Sequence, residues 1–177
     1  MRSMFWWFLP VIAGCSTLTM GPFPRTTIPS EIAAGANERL GLITSAQGAQ
    51  VYRCDAKKDA PGQFSWVFRA PEANMIDDAG KKAGRHYEGP TWEALDGSKV
   101  TGTVQASKDA PGKSAIPWLR LAARPAGSAG VLSKVTTIQR VSTSGGLAPP
   151  PANCNGDEHG KLVRVEYSAD YYFYVPK

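Results

Sequence analysis

Val163-Arg164-Val165-Glu166-Tyr167-Ser168-Ala169-Asp170-Tyr171-Tyr172-Phe173-Tyr174-Val175 changes character at almost every step. Successive side chains on a β-strand point to opposite faces. Val163, Val165, Tyr167, Ala169, Tyr171, Phe173 and Val175 therefore share one apolar face, and Arg164, Glu166, Ser168 and Asp170 share the other. A strand of this pattern buries one side only, as antiparallel sheets do. Tyr172 and Tyr174 put aromatic surface on the otherwise polar face, which calls for a second contact or a ligand to cover them.

Period two recurs upstream. Phe64, Trp66 and Phe68 alternate with Ser65, Val67 and Arg69; Val100, Gly102 and Val104 alternate with Lys99, Thr101 and Thr103. Ser133 to Thr143 is β-branched and alternating. Between these runs stand turn signals. Leu95-Asp96-Gly97-Ser98 reads as a hairpin, because glycine tolerates the positive φ of primed turns. Pro61-Gly62 and Gly145-Gly146 punctuate likewise, and Pro149-Pro150-Pro151 makes a stiff loop. Lys58-Asp59-Ala60-Pro61-Gly62 recurs as Lys108-Asp109-Ala110-Pro111-Gly112, each copy followed by a Trp-bearing strand (Trp66, Trp118). Two copies fall short of a repeat architecture, so one good turn reached twice is the simpler reading. Pro29-Ser30-Glu31 opens a short helical stretch towards Leu40, weakened by Gly35 and Gly41. The expected fold is all-β: an antiparallel sandwich or partly closed barrel with few helical residues.

The 177 residues suit one domain, and 42% hydrophobic content supplies a core. No G-x-G-x-x-G or G-x-x-x-x-G-K-[ST] run exists to cradle a nucleotide, and two histidines exclude a His-rich metal cage. The net charge of +5 is scattered, without basic runs interleaved with aromatics, so nucleic acid is not expected as a partner.

Met1-Arg2-Ser3 followed by the apolar run Met4–Ala13 has the form of a secretory signal and is too short to cross a bilayer core. Val11-Ile12-Ala13-Gly14-Cys15 resembles the lipobox of bacterial lipoproteins. That resemblance implies a signal peptide over 1–14, lipid on Cys15 and a flexible tether through residue 28, with the β domain over 29–177. Ser16 after the cysteine, where such proteins carry Asp for inner-membrane retention, favours the outer membrane in a two-membrane host. In an oxidising compartment Cys54 and Cys154 are left to pair.

A second resemblance rests on the body of the chain. It is carried, in this order, by Gln50-Val51-Tyr52-Arg53-Cys54, Trp66-Val67-Phe68-Arg69-Ala70-Pro71-Glu72-Ala73, His86-Tyr87-Glu88-Gly89-Pro90-Thr91-Trp92-Glu93-Ala94, Asp96-Gly97-Ser98, Ile116-Pro117-Trp118-Leu119, Thr137-Ile138-Gln139-Arg140-Val141 and Tyr167-Ser168-Ala169-Asp170-Tyr171. Together they resemble the family catalogued as domain of unknown function 3455, over about residues 29–175. The resemblance supports the domain boundaries and implies no mechanism.

His86 to Ser98 concentrates the residues with most chemistry, and three readings stand. In the first, Tyr87 and Trp92 fill the core, Gly89-Pro90 kinks the chain, and His86 satisfies a backbone carbonyl or Glu88. In the second, His86, Glu88 and Glu93 beside Trp92, with Trp66 or Trp118 as stacking surfaces, bind a small molecule or glycan. In the third, His86 is a general base oriented by Glu88, with Ser98 or water as nucleophile, or joins Glu88 and His159 around a metal. No G-x-S-x-G elbow supports a hydrolase. Asp77-Asp78 lacks the alternating oxygen donors of a calcium loop. The overall expectation is a lipid-anchored envelope module that binds or scaffolds, with no cofactor and no metal. Its ligand would be a small molecule, a glycan or another envelope protein, and a small hydrolase or metal-dependent enzyme centred on His86 is the alternative.

Overall fold

A computed structural model describes residues 26–177. Eight antiparallel strands follow one another around a closed barrel: β1 Glu38–Ala56, β2 Phe64–Ile76, β3 Lys82–Tyr87, β4 Thr91–Ala94, β5 Ser98–Lys108, β6 Trp118–Gly127, β7 Thr137–Gly145 and β8 Leu162–Pro176. The ring closes where β8 pairs with β1, from Glu38↔Pro176 to Arg53↔Leu162. Of the two architectures expected, the barrel is therefore the one formed. Among the described residues helix is confined to short 3₁₀ turns. The helical stretch expected towards Leu40 is one such turn, Ser30–Ile32, with no side-chain cap at Pro29. Ser133 to Thr136 lie in the β6–β7 connection rather than in strand, so β7 begins later than the alternation suggests.

The turn chemistry falls where the glycines stand: Gly62, Gly97, Gly112, Gly145 and Gly146 all have positive φ. The two copies of Lys-Asp-Ala-Pro-Gly sit in the β1–β2 and β5–β6 connections, both at the end of the barrel where β1 finishes. We call this the upper end. There the loop between β7 and β8 is tied to β1 by a disulfide, Cys54–Cys154, with Cα atoms 5.4 Å apart.

The inner face of β8 is the one read from the alternation: Tyr167, Ala169, Tyr171 and Phe173 are buried against Trp92, Met75, Leu121 and Ile138. The lower end is plugged by the 128–136 connection, whose Leu132 and Val135 enter the core. That plug is pinned by Asp96 and Ser98. Ser98 Oγ donates to Asp96 Oδ1 at 2.6 Å and accepts from Leu132 N at 3.2 Å, while Val131 N donates to Asp96 Oδ2 at 2.8 Å. These bonds to Ser98 and Val131 hold the Asp96 carboxyl below the usual range.

Tyr172 and Tyr174 do have a second contact, supplied by the chain itself. The segment before β1 crosses the outside of β6, β7 and β8. Ile32, fully buried, packs with Tyr172, Trp118, Val141, Ala110 and Ala115 in a second apolar cluster. Gln139 Nε2 donates to the Ile32 carbonyl at 2.6 Å, Arg120 Nη1 to the Ala33 carbonyl at 3.0 Å, and Thr26 N to Tyr172 Oη at 3.0 Å. The sequence-expected tether thus meets the barrel wall already at Thr26.

Unequal strand lengths shape the upper end. Pairing of β2 with β3 stops at Ala73↔His86, and pairing of β4 with β5 stops at Thr91↔Thr101. Above those pairs, and above a last bond from Gly102 N to the Pro90 carbonyl at 3.1 Å, residues 64–72 of β2 are strand-paired only with β1, and residues 103–108 of β5 only with β6. The short β3–β4 hairpin therefore leaves the wall cut away on one side, above Gly89 and Pro90.

Candidate functional site

Behind that opening lies a cavity of about 450 Å³, within the usual range for small-molecule sites and equal to the liquid volume of roughly 15 waters. An eight-stranded barrel is just wide enough to be filled by side chains or to hold one small ligand. Here the lower half is filled and the upper half is not.

Phe68 on β2 and Val104 on β5 flank the opening, exposed to 47% and 53%. Phe68 reaches this position because β2 carries an extra residue: Val51 pairs with Ala70 and Tyr52 with Phe68, leaving Arg69 as a bulge. A bulge shifts the side-chain phase by one. Consequently Phe68 above it and Pro71 below it both line the cavity.

Trp92 is the platform of the site. Its indole is 1% exposed, stacked on His86 at 4.2 Å between ring centres and 12° between planes, with Tyr171 edge-on at 5.3 Å. Gly102 on the neighbouring strand β5 makes this possible, since a Cβ there would lie 2.9 Å from Trp92 Cζ3 and 3.0 Å from Leu121 Cδ2.

His86 Nδ1 lies 2.9 Å from the Thr91 carbonyl oxygen. A carbonyl can only accept, so Nδ1 carries the proton and Nε2 of the neutral ring is an acceptor. Nε2 has no hydrogen-bond partner among the described residues. Burial depresses the His86 pKa to about 3, and the positive charge of Arg140 acts in the same direction, against the bond to Thr91. His86 is therefore neutral throughout the physiological range.

The rest of the polar lining comes from β1, β7 and β8. Gln50 and Tyr171 are buried, yet Gln50 Nε2 and Tyr171 Oη have no hydrogen-bond partner, and neither has Tyr167 Oη beside them. Burial raises both tyrosine hydroxyls above their ordinary pKa. Arg140 is half-buried and donates from Nε and Nη2 to the Pro117 carbonyl at 3.1 and 2.8 Å. The chain closes over the group at Gly146, whose carbonyl accepts from Tyr52 Oη at 2.7 Å. A Cβ on Gly146 would lie 2.9 Å from Tyr167 Cβ and 3.1 Å from Gln50 Cγ. Polar groups buried without partners are uncommon in folded proteins, and here two of them, Gln50 and Tyr171, belong to residues lining the cavity.

The sequence candidates separate. His86, Glu88 and Trp92 line the cavity, with Glu88 exposed at its mouth. His86 bonds Thr91, not Glu88. Glu93 faces outward, accepting from Tyr87 Oη at 2.8 Å and Arg85 Nη2 at 2.8 Å; these bonds, Tyr87's first, lower its pKa. Trp66 stands opposite Cys54 near the disulfide, and Trp118 belongs to the outer cluster under the N-terminal segment. Ser98 is at the lower end, committed to Asp96 and Leu132, so the structure does not bring it to His86. His159 is exposed in the β7–β8 connection, its ring 5.6 Å from Phe64. Among the described residues no group of three His, Cys, Asp or Glu side chains could hold a metal. Asp77 Oδ1 accepts from Ala79 N and Lys81 N, forming a turn. Cys15 lies outside the described residues.

Gln50, Arg140 and Tyr171 were not singled out from sequence as site residues. Arg140 did leave a trace: it shares strand phase with Ile138, a fully buried residue, so an inward-facing charge was legible in Ile138-Gln139-Arg140.

No curated protein and no solved structure matches this chain. A family model described as a protein of unknown function (DUF3455) matches residues 35–175, from just before β1 to the end of β8. On that match, which spans most of the described barrel, the chain belongs to the DUF3455 family, the one its ordered motifs resemble.

Proposed function

We propose that this protein is a non-enzymatic binding module of the bacterial envelope that holds a small, largely apolar molecule in the side opening of its barrel. One observation carries the reading: a cavity of about 450 Å³ with an aromatic platform and buried, unpartnered Gln50 and Tyr171 groups on its walls. The stacked Trp92–His86 pair gives the inner wall of the cavity a rigid aromatic backing. Burying a polar group unbonded costs roughly 1–3 kcal/mol, so an occupant that satisfies these groups gains affinity. The location follows from the N-terminal sequence, with its lipobox-like Val11–Cys15, and the Cys54–Cys154 bond fits an oxidising compartment.

Titration with the neutral dye N-phenyl-1-naphthylamine tests the binding reading. Saturable one-to-one binding, weakened when Gly102→Val drives a side chain against Trp92, is the expected result. Absence of saturable binding in the folded protein would overturn it. The envelope reading is tested separately by expressing Cys15→Ala: wild-type protein should fractionate with membranes and the variant should not.

A further inference from the structure

The Gln50 amide and the Tyr171 hydroxyl at the cavity are both able to donate to an anion. Arg140 brings a guanidinium to the cavity wall, and its charge is felt at His86, Tyr167 and Tyr171. One edge of the guanidinium is taken by the Pro117 carbonyl. The Tyr171 hydroxyl interacts with the guanidinium, but no carboxylate lies within ion-pair distance of Arg140 among the described residues. The acidic side chains that do form ion pairs there are matched to other cations, as Asp55 is to Arg53 and Arg69. A partly buried cation without a counter-ion is unusual, because charges removed from water are normally paired.

We propose that the ligand is a small monocarboxylic acid with a flat apolar body, its carboxylate held by Arg140. The proposal rests on the cavity being a ligand site and goes further by naming the ligand's chemistry. A carboxylate presents two oxygens to a planar guanidinium and accepts several hydrogen bonds at once. The Gln50 amide and the Tyr171 hydroxyl, both buried and without a well-formed hydrogen bond, are donors on the same cavity. The apolar body lies along Leu119, Leu121 and Val104 towards the opening. Glu88 at the mouth disfavours a second negative charge there, so a mono-acid enters head first.

The test uses 2-naphthoic acid, its methyl ester and the neutral dye, measured by dye displacement at pH 7 on the folded, disulfide-bonded protein. Wild type should bind the acid about tenfold or more tightly than the ester, as charge-assisted hydrogen bonds predict. Arg140→Gln should bring acid and ester to within about twofold while dye binding persists. Because Arg140 also braces the Pro117 carbonyl, Tyr171→Phe serves as a second variant. It leaves the Arg140 bonds to Pro117 in place and removes a hydroxyl that makes no well-formed hydrogen bond, and it should reduce the acid's advantage several-fold without loss of fold. Equal binding of acid and ester by wild type would overturn the carboxylate inference and leave the ligand-site reading intact. An acid preference that survives both variants would overturn the assignment to this cluster. Failure of the dye, acid and ester alike would overturn the inference together with the reading beneath it.

Discussion

Stability should fall between pH 7 and pH 5 through His86 alone, by an amount the structure sets. In the folded protein this ring is neutral with a pKa near 3, against 6.5 for an exposed histidine. The unfolded chain therefore binds a proton at pH 5 that the folded chain refuses. Stabilisation is complete above pH 6.5 and is lost as the pH falls towards 3. With those two values the loss is about 2 kcal/mol at pH 5, approaching a slope of about 1.4 kcal/mol per pH unit. Asp170, whose carboxyl burial raises, pulls in the opposite direction. A single melt is therefore not the right readout. Urea denaturation of wild type and His86→Asn at pH 7, 6, 5.5 and 5 isolates the ring, since every other group is common to both. The Asn amide places a donor near the former Nδ1 and does not titrate. The wild-type curve should drop about 2 kcal/mol further than the variant's across this range. Parallel curves would mean that His86 titrates as an exposed residue does, and the buried, stacked geometry would be refuted.

Reducing the Cys54–Cys154 bond frees a loop with a sequence separation of 100 residues. The chain-entropy cost is about 4.7 kcal/mol, or a melting temperature lower by on the order of 10 °C; coincident melts with and without reductant would refute it. Gly102→Ala places a Cβ 2.9 Å from Trp92. It should cost about 1–3 kcal/mol and alter the near-ultraviolet circular dichroism of the indole, whereas an unchanged spectrum would place Trp92 elsewhere. Thr44 is 1% exposed and its hydroxyl has no partner. Thr44→Val should therefore be neutral or stabilising by up to about 1 kcal/mol in urea melts; a loss larger than that would reveal a hydrogen bond to the Thr44 hydroxyl.

The local part of this protein was readable from its residues. Alternation along Val163–Val175 gave the inner face of β8, Asp96-Gly97 and Pro61-Gly62 gave turns, and the expectation of lipid on Cys15 left Cys54 and Cys154 as the pair. Each of these is decided within a few residues, by strand period, by the φ that glycine tolerates, or by counting thiols. The site was legible only in part. His86, Glu88 and Trp92 come from one short hairpin, so their neighbourhood survives folding. Gln50, Arg140 and Tyr171 join them from three other strands, and Glu93, Ser98, Trp66 and Trp118 are carried away to the outside, the lower end, the disulfide and the N-terminal segment.

What tertiary structure alone decided follows from long-range register. Closure of β8 on β1 selected the barrel, and the shortness of β3 and β4 relative to β2 and β5 opened its wall. Bulges at Arg69, Gln105 and next to Ser142 each add a residue to one strand and shift which side chains point inward. A period of two is blind to such insertions, because they are fixed by what the neighbouring strand bonds to. The sequence by itself determined that this chain makes strands with one apolar face; only their closure into a ring with one short hairpin determined that there is room inside for a ligand.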